Sequence, residues 1–504
     1  MKKNTLYYGD CLEVMGKWDD NSVDLIYLDP PFNSKANYNI LFGTQRNGGD
    51  KNDLAQLTAF TDTWEWDIDA ERRVDLINSA IAHPAHRAIR AFSEIYPDGS
   101  GMLSYLSYMA ERIAAMHRLL KNTGSMYLHC DPTASHYLKL IMDEVFGKGN
   151  FRNEIIWCYR GMPSKASKWQ QKHDVILFYF KSPKAKFNVQ LGKPTEGSKK
   201  TFDSGLRKGY NANLSKNMVT VFDWEKYNRA VNTGKIPSGL SPQEFKGGNP
   251  SMTDWWSDIK ILGGPTNKER LGYPTQKPLA LLKRIVMASS NEGDLVLDPF
   301  CGCGTTIEAA HLLKRDWIGI DISAYAIEVV RRERMKDLRI DLAGVSKDLK
   351  GAVDFAERNP FDFEKWAVTR IPGFAPNAVQ RGDGGIDGRA LIYGAGKEQN
   401  LCIAQVKGGK PSIDSLRAFF GMLASGKAAI GVFITLEKWD TPSVRKCIAQ
   451  AGTLQVGAKE YNRLIMYTID EHFQNIEPIM PPLAHPRTGE AFQEELMPKS
   501  LLDK

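Results

Sequence analysis

Near the N-terminus, Asp29, Pro30, Pro31 and Phe32 bring together a carboxylate, a backbone carbonyl, two rigid rings and an aromatic face. They follow the apolar run VDLIYL, which predicts a buried strand that delivers them to its end. The carboxylate and the carbonyl can each accept one hydrogen of an exocyclic amino group, which makes that nitrogen a better nucleophile, and the prolines hold both acceptors in place. Taken alone, however, the string is better explained as a Pro-Pro turn that ends a buried strand.

A second string, LVLDPFCGCGTT, predicts a strand that ends at Asp298 and a turn in which Gly302 and Gly304 let the backbone approach a ligand. After one helix, the run DWIGID ends at Asp321, whose carboxylate can accept hydrogen bonds from two ribose hydroxyls. The string starts with an acid and has no array of groups that would cradle phosphates. These features suit a cationic or zwitterionic nucleoside better than a pyrophosphate.

The order of the two strings, with a long segment between them, resembles the β class of S-adenosylmethionine-dependent DNA amino-methyltransferases. In that family the D-P-P-[YF] string precedes the target-recognition region, which precedes the cofactor string. PTQKP (274–278) also resembles the family's element at the methionine end of the cofactor, and the resemblance covers roughly residues 1–340.

This resemblance implies a role for each matching residue. The catalytic residues would be Asp29, Pro30, Pro31 and Phe32. The S-adenosylmethionine site would contain Asp298, Pro299, Phe300, Gly302, Gly304, Thr305, Asp321, Thr275, Gln276 and Lys277. In this family Asp at the first catalytic position is commoner in adenine enzymes, whereas Ser is typical of enzymes that modify cytosine. We therefore expect adenine to be the target base, with cytosine as the alternative.

A third string, GIDGRALIY followed by LCIAQVKGG, places Asp387 near the start of one strand and Gln405 and Lys407 on the next. Because side chains alternate along a strand, Gln405 and Lys407 share one face. A carboxylate with a neighbouring oxygen ligand can hold Mg²⁺, and a lysine can orient the attacking water. The arrangement would suit phosphodiester hydrolysis, although D…QxK alone would arise by chance in many chains.

The surrounding residues, roughly 355–475, resemble the Mrr-like branch of the PD-(D/E)xK nucleases. The resemblance implies that Asp387, Gln405 and Lys407 are catalytic, that Asp387 and Gln405 hold the metal, and that Glu364 is an additional member. Asp383 is a weaker candidate in the Gly-rich loop. Gln405 replaces the acidic residue of the general pattern, and an amide oxygen binds a hard cation more weakly than a carboxylate does.

Alternating strands and helices must position these strings. Strand-like runs alternate with helical periodicity over 20–150 and again from 271, which is typical of a parallel sheet with crossover helices. We therefore expect an α/β fold: a Rossmann-like methyltransferase sheet with an inserted target-recognition region, plus a C-terminal α/β domain of the restriction-endonuclease type. The predicted domains are 1–151 (catalytic half), 152–270 (insert), 271–345 (cofactor-binding half), 346–480 (nuclease) and 481–504 (tail).

Two segments are candidates for contacts with DNA. The loop at 43–53 could close over a flipped nucleotide, although an ordinary exposed loop explains it as well. The insert interleaves lysines with tryptophans, which could serve phosphates and bases or simply pack in a core. These tryptophans are Trp157, Trp169, Trp224, Trp255 and Trp256.

Composition limits the class of protein. The formal net charge of +7 favours a polyanionic partner only weakly, and the resemblance makes that partner double-stranded DNA. Seven irregularly spaced cysteines indicate neither a disulfide framework nor structural zinc. No signal peptide or membrane span is recognisable, so we expect a cytoplasmic protein. Whether it forms a homodimer stays open.

Three hypotheses follow from the sequence. The first is a single-chain restriction-modification protein in which methylation and Mg²⁺-dependent cleavage share one recognition region. The second is a methyltransferase whose degenerate nuclease-like domain only grips DNA. The third is a DNA-binding protein without catalysis, which would require both the DPPF string and the paired acidic strand ends to have no chemical role.

Overall fold

The structure is a computed structural model of the 504-residue chain. It describes residues 1–31, 37–41, 56–61, 64–97, 99–159, 169–191, 206–211, 216–221, 224–233, 241–244, 251–263, 267, 269–271, 273, 275–377, 385–393, 401–426 and 428–484. Phe32, Asp383 and the loop 43–53 lie outside the described residues. Of the predicted tail, only 481–484 are described.

The largest sheet carries the acidic strand ends. Its nine described strands are, in spatial order, Trp255–Trp256, Phe151–Cys158, His173–Phe180, Leu120–Cys130, Val23–Leu28, Leu295–Asp298, Asp316–Asp321, Thr5–Tyr8 and Asp341–Ala343. All neighbours from Leu120–Cys130 to Asp341–Ala343 are parallel, whereas His173–Phe180 runs antiparallel to both of its neighbours. Carboxyl ends of parallel strands meet at one edge of a sheet. The predicted α/β class is confirmed.

Helices cover this sheet. Their bounds are Cys11–Met15, Ile68–Ser79, His86–Ile95, Gly101–Leu119, Ser135–Phe146, Leu279–Ser289, Thr305–Leu312 and Ala324–Val329, with a 3₁₀ turn at Lys148–Asn150 and a π-helical turn at Val330–Arg334. Gly101–Leu119 begins where the Ser100 hydroxyl accepts a hydrogen bond from the amide of Leu103, and its apolar residues are buried. In the described part of the chain, no helix is long and apolar enough to cross a bilayer.

Residues Phe187–Trp255 form a separate compact unit. Within it, Ser241–Glu244 pairs in parallel with Lys216–Val221, which pairs antiparallel with Leu206–Asn211. One helix, Trp224–Asn232, belongs to the same unit. Elsewhere in the chain, Asn37–Leu41 and Gln56–Thr61 form an antiparallel hairpin, and Trp255–Trp256 is a two-residue strand.

The C-terminal part has its own sheet. Its strands, in spatial order, are Ala375–Pro376, Gly388–Ile392, Leu401–Lys407, Ile430–Thr435 and Leu464–Thr468, and Leu483–Ala484 also pairs with Gly388–Ile392. A hairpin joins Thr453–Val456 to Lys459–Asn462. The helices are Leu349–Arg358, Pro360–Val368, Ile413–Ala424, Pro442–Ala451 and Ile469–Phe473. The predicted C-terminal α/β domain is therefore present.

Two segments differ from the sequence-based expectation. The first part of the predicted insert supplies strands Phe151–Cys158 and His173–Phe180 to the large sheet, because their backbone groups complete an antiparallel ladder with Leu120–Cys130. The polar segment after residue 340, interpreted as a connection, adds the edge strand Asp341–Ala343 beside Thr5–Tyr8 and then forms the helix Leu349–Arg358. Its polarity reflects edge exposure rather than lack of structure.

The C-terminal part packs directly on this edge of the large sheet. The ring of Tyr8 meets that of Phe355 edge-on, with centroids 5.9 Å apart. A Cβ on Gly344, whose φ is +81°, would lie 2.1 Å from the carbonyl oxygen of Tyr8, so only glycine permits this approach.

A buried ionic cluster joins the same two parts. Glu328, on helix Ala324–Val329, accepts a hydrogen bond of 2.6 Å from Arg370, and the two side chains are 9% and 8% exposed. Arg331 and Arg332 also donate to Glu328, each at 2.8 Å. Burial opposes ionisation, but the three guanidinium groups hold the pKa of Glu328 well below its usual range.

Candidate functional site

The glycine-containing loop after strand Leu295–Asp298 is fastened to the next strand end. Asp321 accepts a hydrogen bond from the amide of Gly302 and another from the amide of Ser323, both at 2.8 Å. Ser323 in turn caps helix Ala324–Val329. One carboxylate therefore fixes both the loop and the following helix, and each of its oxygens keeps a lone pair for a further donor.

Both predicted loop glycines have positive φ, +48° at Gly302 and +79° at Gly304. A Cβ on Gly304 would lie 2.8 Å from Val330, and one on Gly302 would lie 3.2 Å from the ring of Tyr273. Thr305 then begins the buried helix Thr305–Leu312. Side chains at the two glycines would thus both strain the turn and push it out of place.

The neighbouring predicted residues complete the acidic end of the loop. Asp298 and Pro299 are buried, and Phe300 is partly buried and donates its amide to Asp298. Burial raises the pKa of Asp298 to about 7, and the negative charges of Asp29 and Asp321 add to this rise. Burial likewise raises the pKa of Asp321 to about 6. Such a cluster favours a ligand that brings positive charge.

Asp29 lies at the end of strand Val23–Leu28, beside the strand that carries Asp298. Its Oδ2 accepts a 2.5 Å hydrogen bond from Lys277 Nζ, with side chains 15% and 10% exposed. Its Oδ1 is buried and has no hydrogen-bond partner among the described residues. A buried acceptor of this kind is costly unless a ligand supplies the donor.

The PTQKP segment holds this arrangement. Thr275 has a positive φ of +62°, which is unusual for a residue with a branched side chain, and its carbonyl accepts from Lys277 at 3.4 Å. Gln276 accepts a hydrogen bond from the amide of Leu271 and donates one to the carbonyl of Glu269, both at 2.7 Å. Gln276 therefore shapes the preceding loop, while Lys277 contacts the predicted catalytic carboxylate.

A buried polar chain that we did not predict lies beside Asp29. Tyr27, two residues before Asp29, bonds His129 Nδ1 at 2.8 Å, and His129 Nε2 bonds Asp174 at 3.1 Å. Tyr159 donates to Asp174 at 3.0 Å. His129 lies in the string GSMYLHCD (124–131) and Asp174 in HDVILFYF (173–180). Nothing in the spacing of the two strings indicates that these side chains meet.

Asp174 and Tyr159 line a cavity of about 410 Å³. The other described residues that line it are Asp131, Pro132, Trp157, Gln171, His173, Ile261, Thr275, Gln276 and Lys277. Lys277, which lines the cavity, bonds Asp29. The volume falls within the range of about 300–1,000 Å³ that is usual for ligand sites.

The tryptophans predicted for DNA contact separate into two groups. Trp157 and Trp256 are buried, and Trp157 donates to the carbonyl of Ile259 at 2.9 Å. Trp169 is 94% exposed and Trp255 is 60% exposed. The side chain of Trp224 is outside the described residues. Packing therefore accounts for Trp157 and Trp256.

In the C-terminal sheet, three predicted nuclease residues lie on or next to two paired strands, Gly388–Ile392 and Leu401–Lys407. Asp387 precedes strand Gly388–Ile392, and its carboxylate accepts a 2.7 Å hydrogen bond from the amide of Val406, which lies between Gln405 and Lys407. Gln405 is buried, and its Oε1 has no hydrogen-bond partner among the described residues. A Cβ on Gly385 would lie 2.5 Å from Gln405 Nε2, so the loop fixes this amide.

This second group offers oxygen atoms of the kind that bind a hard cation, from Asp387 and Gln405. No group of three or more His, Cys, Asp and Glu that could hold a metal occurs in the described ranges. Mg²⁺ commonly takes one or two protein ligands together with waters and phosphates, so Asp387 and the orphaned oxygen of Gln405 fit it. Glu364 is half-buried on helix Pro360–Val368, which packs against strand Leu401–Lys407.

Comparison with known proteins finds a family model that matches each part of the chain. Residues 23–332 match the family model of DNA methylases that act on N6 or N4, and residues 355–459 match a restriction endonuclease model. The Type II methyltransferase M.EcaI of Enterobacter cloacae is 33% identical over 48% of this chain and 60% of its own length. The chain thus spans less than two thirds of that relative.

Two further proteins are similar over a larger share of their length. The DNA adenine methyltransferase YhdJ of Escherichia coli is 26% identical over 67% of this chain and 83% of its own length. The crystal structure of an M1.HpyAVI–SAM complex has 20% sequence identity and a TM-score of 0.34, and the match covers 66% of this chain and 98% of that one.

Proposed function

Because the chain belongs to the N6/N4 DNA methylase family, we propose that it transfers a methyl group from S-adenosylmethionine to the exocyclic amino group of adenine in double-stranded DNA. The observation that carries this proposal is the buried, partnerless Oδ1 of Asp29. It lies at the sheet edge that also holds Asp298 and Asp321. The name of the relative YhdJ supports adenine as the base.

The residues around the glycine loop fit S-adenosylmethionine. Its positive charge would offset the carboxylates of Asp298 and Asp321, whose pKa values are raised by burial. When bound, the cofactor supplies an electrophilic methyl group on a sulfonium. We propose that the cofactor pocket is lined by these two acids and by Pro299, Phe300, Gly302, Gly304, Thr305, Thr275 and Gln276.

The protein's own contribution is to prepare the amino nitrogen. Asp29 Oδ1 and the carbonyl of Pro30 would each accept one amino hydrogen, and Pro31 stiffens the turn that presents them. Phe32 would stack on the extruded base. Lys277 bonds the other oxygen of Asp29, which would leave Oδ1 free to accept from the substrate. The amino proton released on methylation would pass first to Asp29, the adjacent carboxylate.

For the Mrr-like part we propose Mg²⁺-dependent DNA cleavage in a restriction-modification system. Asp387 and Gln405 would hold the ion, Lys407 would orient the attacking water, and Glu364 would assist from its helix. Self-cleavage is avoided if the chain's own methylation blocks the nuclease. The neutral ligand Gln405 favours a second candidate, a silent domain that only grips DNA.

Two assays on the purified full chain test these proposals. Mass spectrometry of nucleosides from plasmid methylated in vitro should find N6-methyladenine, and N4-methylcytosine alone would overturn the choice of base. With Mg²⁺, wild type should break unmethylated plasmid but not premethylated plasmid. Lys407→Ala should abolish cleavage, whereas Lys410→Ala, outside the strand, should not. Failure of the wild type to cleave would favour the silent domain.

A further inference from the structure

The cavity beside Lys277 has a definite place in the sheet. Part of its wall lies at three strands: the end of Leu120–Cys130, the end of Phe151–Cys158 and the start of His173–Phe180. The rest of the described wall comes from Ile261 and from the segment 275–277. The glycine loop and Asp321 follow Leu295–Asp298 and Asp316–Asp321, on the other side of Val23–Leu28. Asp29, which ends Val23–Leu28, therefore lies between the two regions. The proposed methyl donor would lie on the side of the glycine loop and border the cavity at Thr275 and Gln276. The part of the cavity lined by Asp131, Tyr159 and Asp174 is then available to the acceptor base.

Two carboxylates, those of Asp131 and Asp174, are among the polar groups that line the cavity, together with Tyr159, Gln171, His173, Thr275, Gln276 and Lys277. Asp174 is fixed there by hydrogen bonds from His129 and Tyr159. Asp131 is fixed by the amides of residues 133 and 134, at 3.0 and 3.2 Å. The one Lys or Arg among its described lining residues, Lys277, is bonded to Asp29. The cavity therefore presents oriented carboxylate oxygens to whatever enters it.

Adenine and cytosine differ in how they would meet such a wall. When the amino group and the adjacent ring nitrogen of the two bases are superposed, the next ring position carries C–H in adenine and a carbonyl oxygen in cytosine. A carboxylate tolerates the C–H but repels the carbonyl, and such a repulsive element is an effective way to exclude a competing ligand.

We infer that Asp174, with Asp131 beside it, makes the cavity accept adenine and reject cytosine as the methyl acceptor. This inference rests on the proposed function, because it names the residues that choose the base at the same site. The hydrogen bonds from His129 and Tyr159 keep the Asp174 carboxylate from turning away from the base.

The test compares two duplexes that contain the sequence methylated by the wild type, as mapped on plasmid DNA. One carries the target adenine, and the other carries cytosine at that position opposite the same thymine, so that the partner strand is unchanged. Wild type should methylate the adenine duplex at least about 100-fold faster. Asp174→Asn is nearly isosteric and offers an N–H to the cytosine carbonyl. It should narrow that ratio by about tenfold or more.

Asp143→Asn is the matched control. Asp143 also accepts a tyrosine hydroxyl, that of Tyr179 at 2.8 Å, and bonds Lys139 at 2.8 Å, but it does not line the cavity. Its ratio should equal that of the wild type. If Asp174→Asn does not fold, Asp131→Asn and Tyr159→Phe, which removes one anchor of Asp174, make the same comparison.

If the ratio of adenine to cytosine methylation is unchanged in both Asp174→Asn and Asp131→Asn, the two carboxylates do not select the base, and adenine methylation itself still stands. Where Asp174→Asn does not fold, an unchanged ratio in both Asp131→Asn and Tyr159→Phe has the same consequence. A wild type that methylates only the cytosine duplex, or neither, would overturn the proposed function itself. A ratio that narrows in the cavity variants but not in Asp143→Asn supports the inference.

Discussion

Asp29→Ala should abolish methylation and destabilise the protein, and removal of Lys277 as well should reverse only the second effect. In the wild type, Lys277 Nζ lies 2.5 Å from Asp29 Oδ2, and the two side chains are 10% and 15% exposed. Alanine leaves the ammonium in this site without that carboxylate. Breaking a fully buried pair costs about 3–5 kcal/mol, so the small residual exposure of this pair gives an expected loss of about 3 kcal/mol.

The effect on catalysis has a separate origin. Loss of one preorganised hydrogen-bonding group at a reacting centre typically lowers kcat by about 10²–10³-fold. The double variant Asp29→Ala/Lys277→Met removes both charges, which is often nearly neutral for stability, but it does not restore the acceptor for the amino hydrogen. The double variant should therefore regain most of the free energy of unfolding and remain inactive.

Urea unfolding followed by tryptophan fluorescence and transfer of labelled methyl groups to plasmid measure the two effects. Asp143→Ala is the control, because it breaks the pair with Lys139 away from the site, where the side chains are 25% and 10% exposed. It should lower stability without changing methylation. Methylation by Asp29→Ala within about threefold of the wild type would refute the catalytic role. A double variant as unstable as Asp29→Ala would refute the ion-pair account.

Three further outcomes are expected. S-adenosylmethionine should bind more tightly as pH rises from about 5.5 to about 8, because Asp298 and Asp321, with pKa values of about 7 and about 6, ionise in this range and attract the cation. Because the folded-state pKa values lie above those of unfolded Asp, the ligand-free protein should lose stability as the pH rises over the same range. The affinity measured by titration calorimetry should therefore increase while the melting temperature of the ligand-free protein falls. An affinity that does not change with pH would contradict the assignment of Asp298 and Asp321 to the cofactor site. Gly304→Ala should weaken cofactor binding by at least about tenfold because its Cβ would meet the π-helical turn at 2.8 Å. Gly293→Ala, with a similar φ of +81° and no atom within 4 Å, should not, and equal affinities measured by calorimetry would argue against the clash. In cleavage assays that titrate Mg²⁺, Gln405→Glu should lower the Mg²⁺ concentration required for cleavage, because a carboxylate binds a hard cation more strongly than an amide oxygen does. Gln405→Ala should abolish cleavage. If both variants cleave with the same Mg²⁺ requirement as the wild type, Gln405 is not a metal ligand.

The fold class and the strings that carry chemistry were predictable because they are local. A strand that ends in an acid and turns through Pro or Gly leaves its signature in consecutive residues, as at Asp29 and Asp298. The polar surroundings of residues 152–158 and 173–180 favour an insert when only the sequence is considered. Their place in the large sheet depends on ladder partners elsewhere in the chain.

Only the tertiary structure decided which side chains meet. Lys277 is 248 residues from Asp29, and the contact exists because the sheet order brings the segment before helix Leu279–Ser289 to the end of Val23–Leu28. The link between His129 and Asp174 depends on two antiparallel strands in register. A sequence specifies residue types and short-range periodicity, whereas burial, register and long-range pairing arise from packing the whole chain. That is why the reactive groups could be named from the sequence, while their electrostatic partners and the wall of the cavity could not.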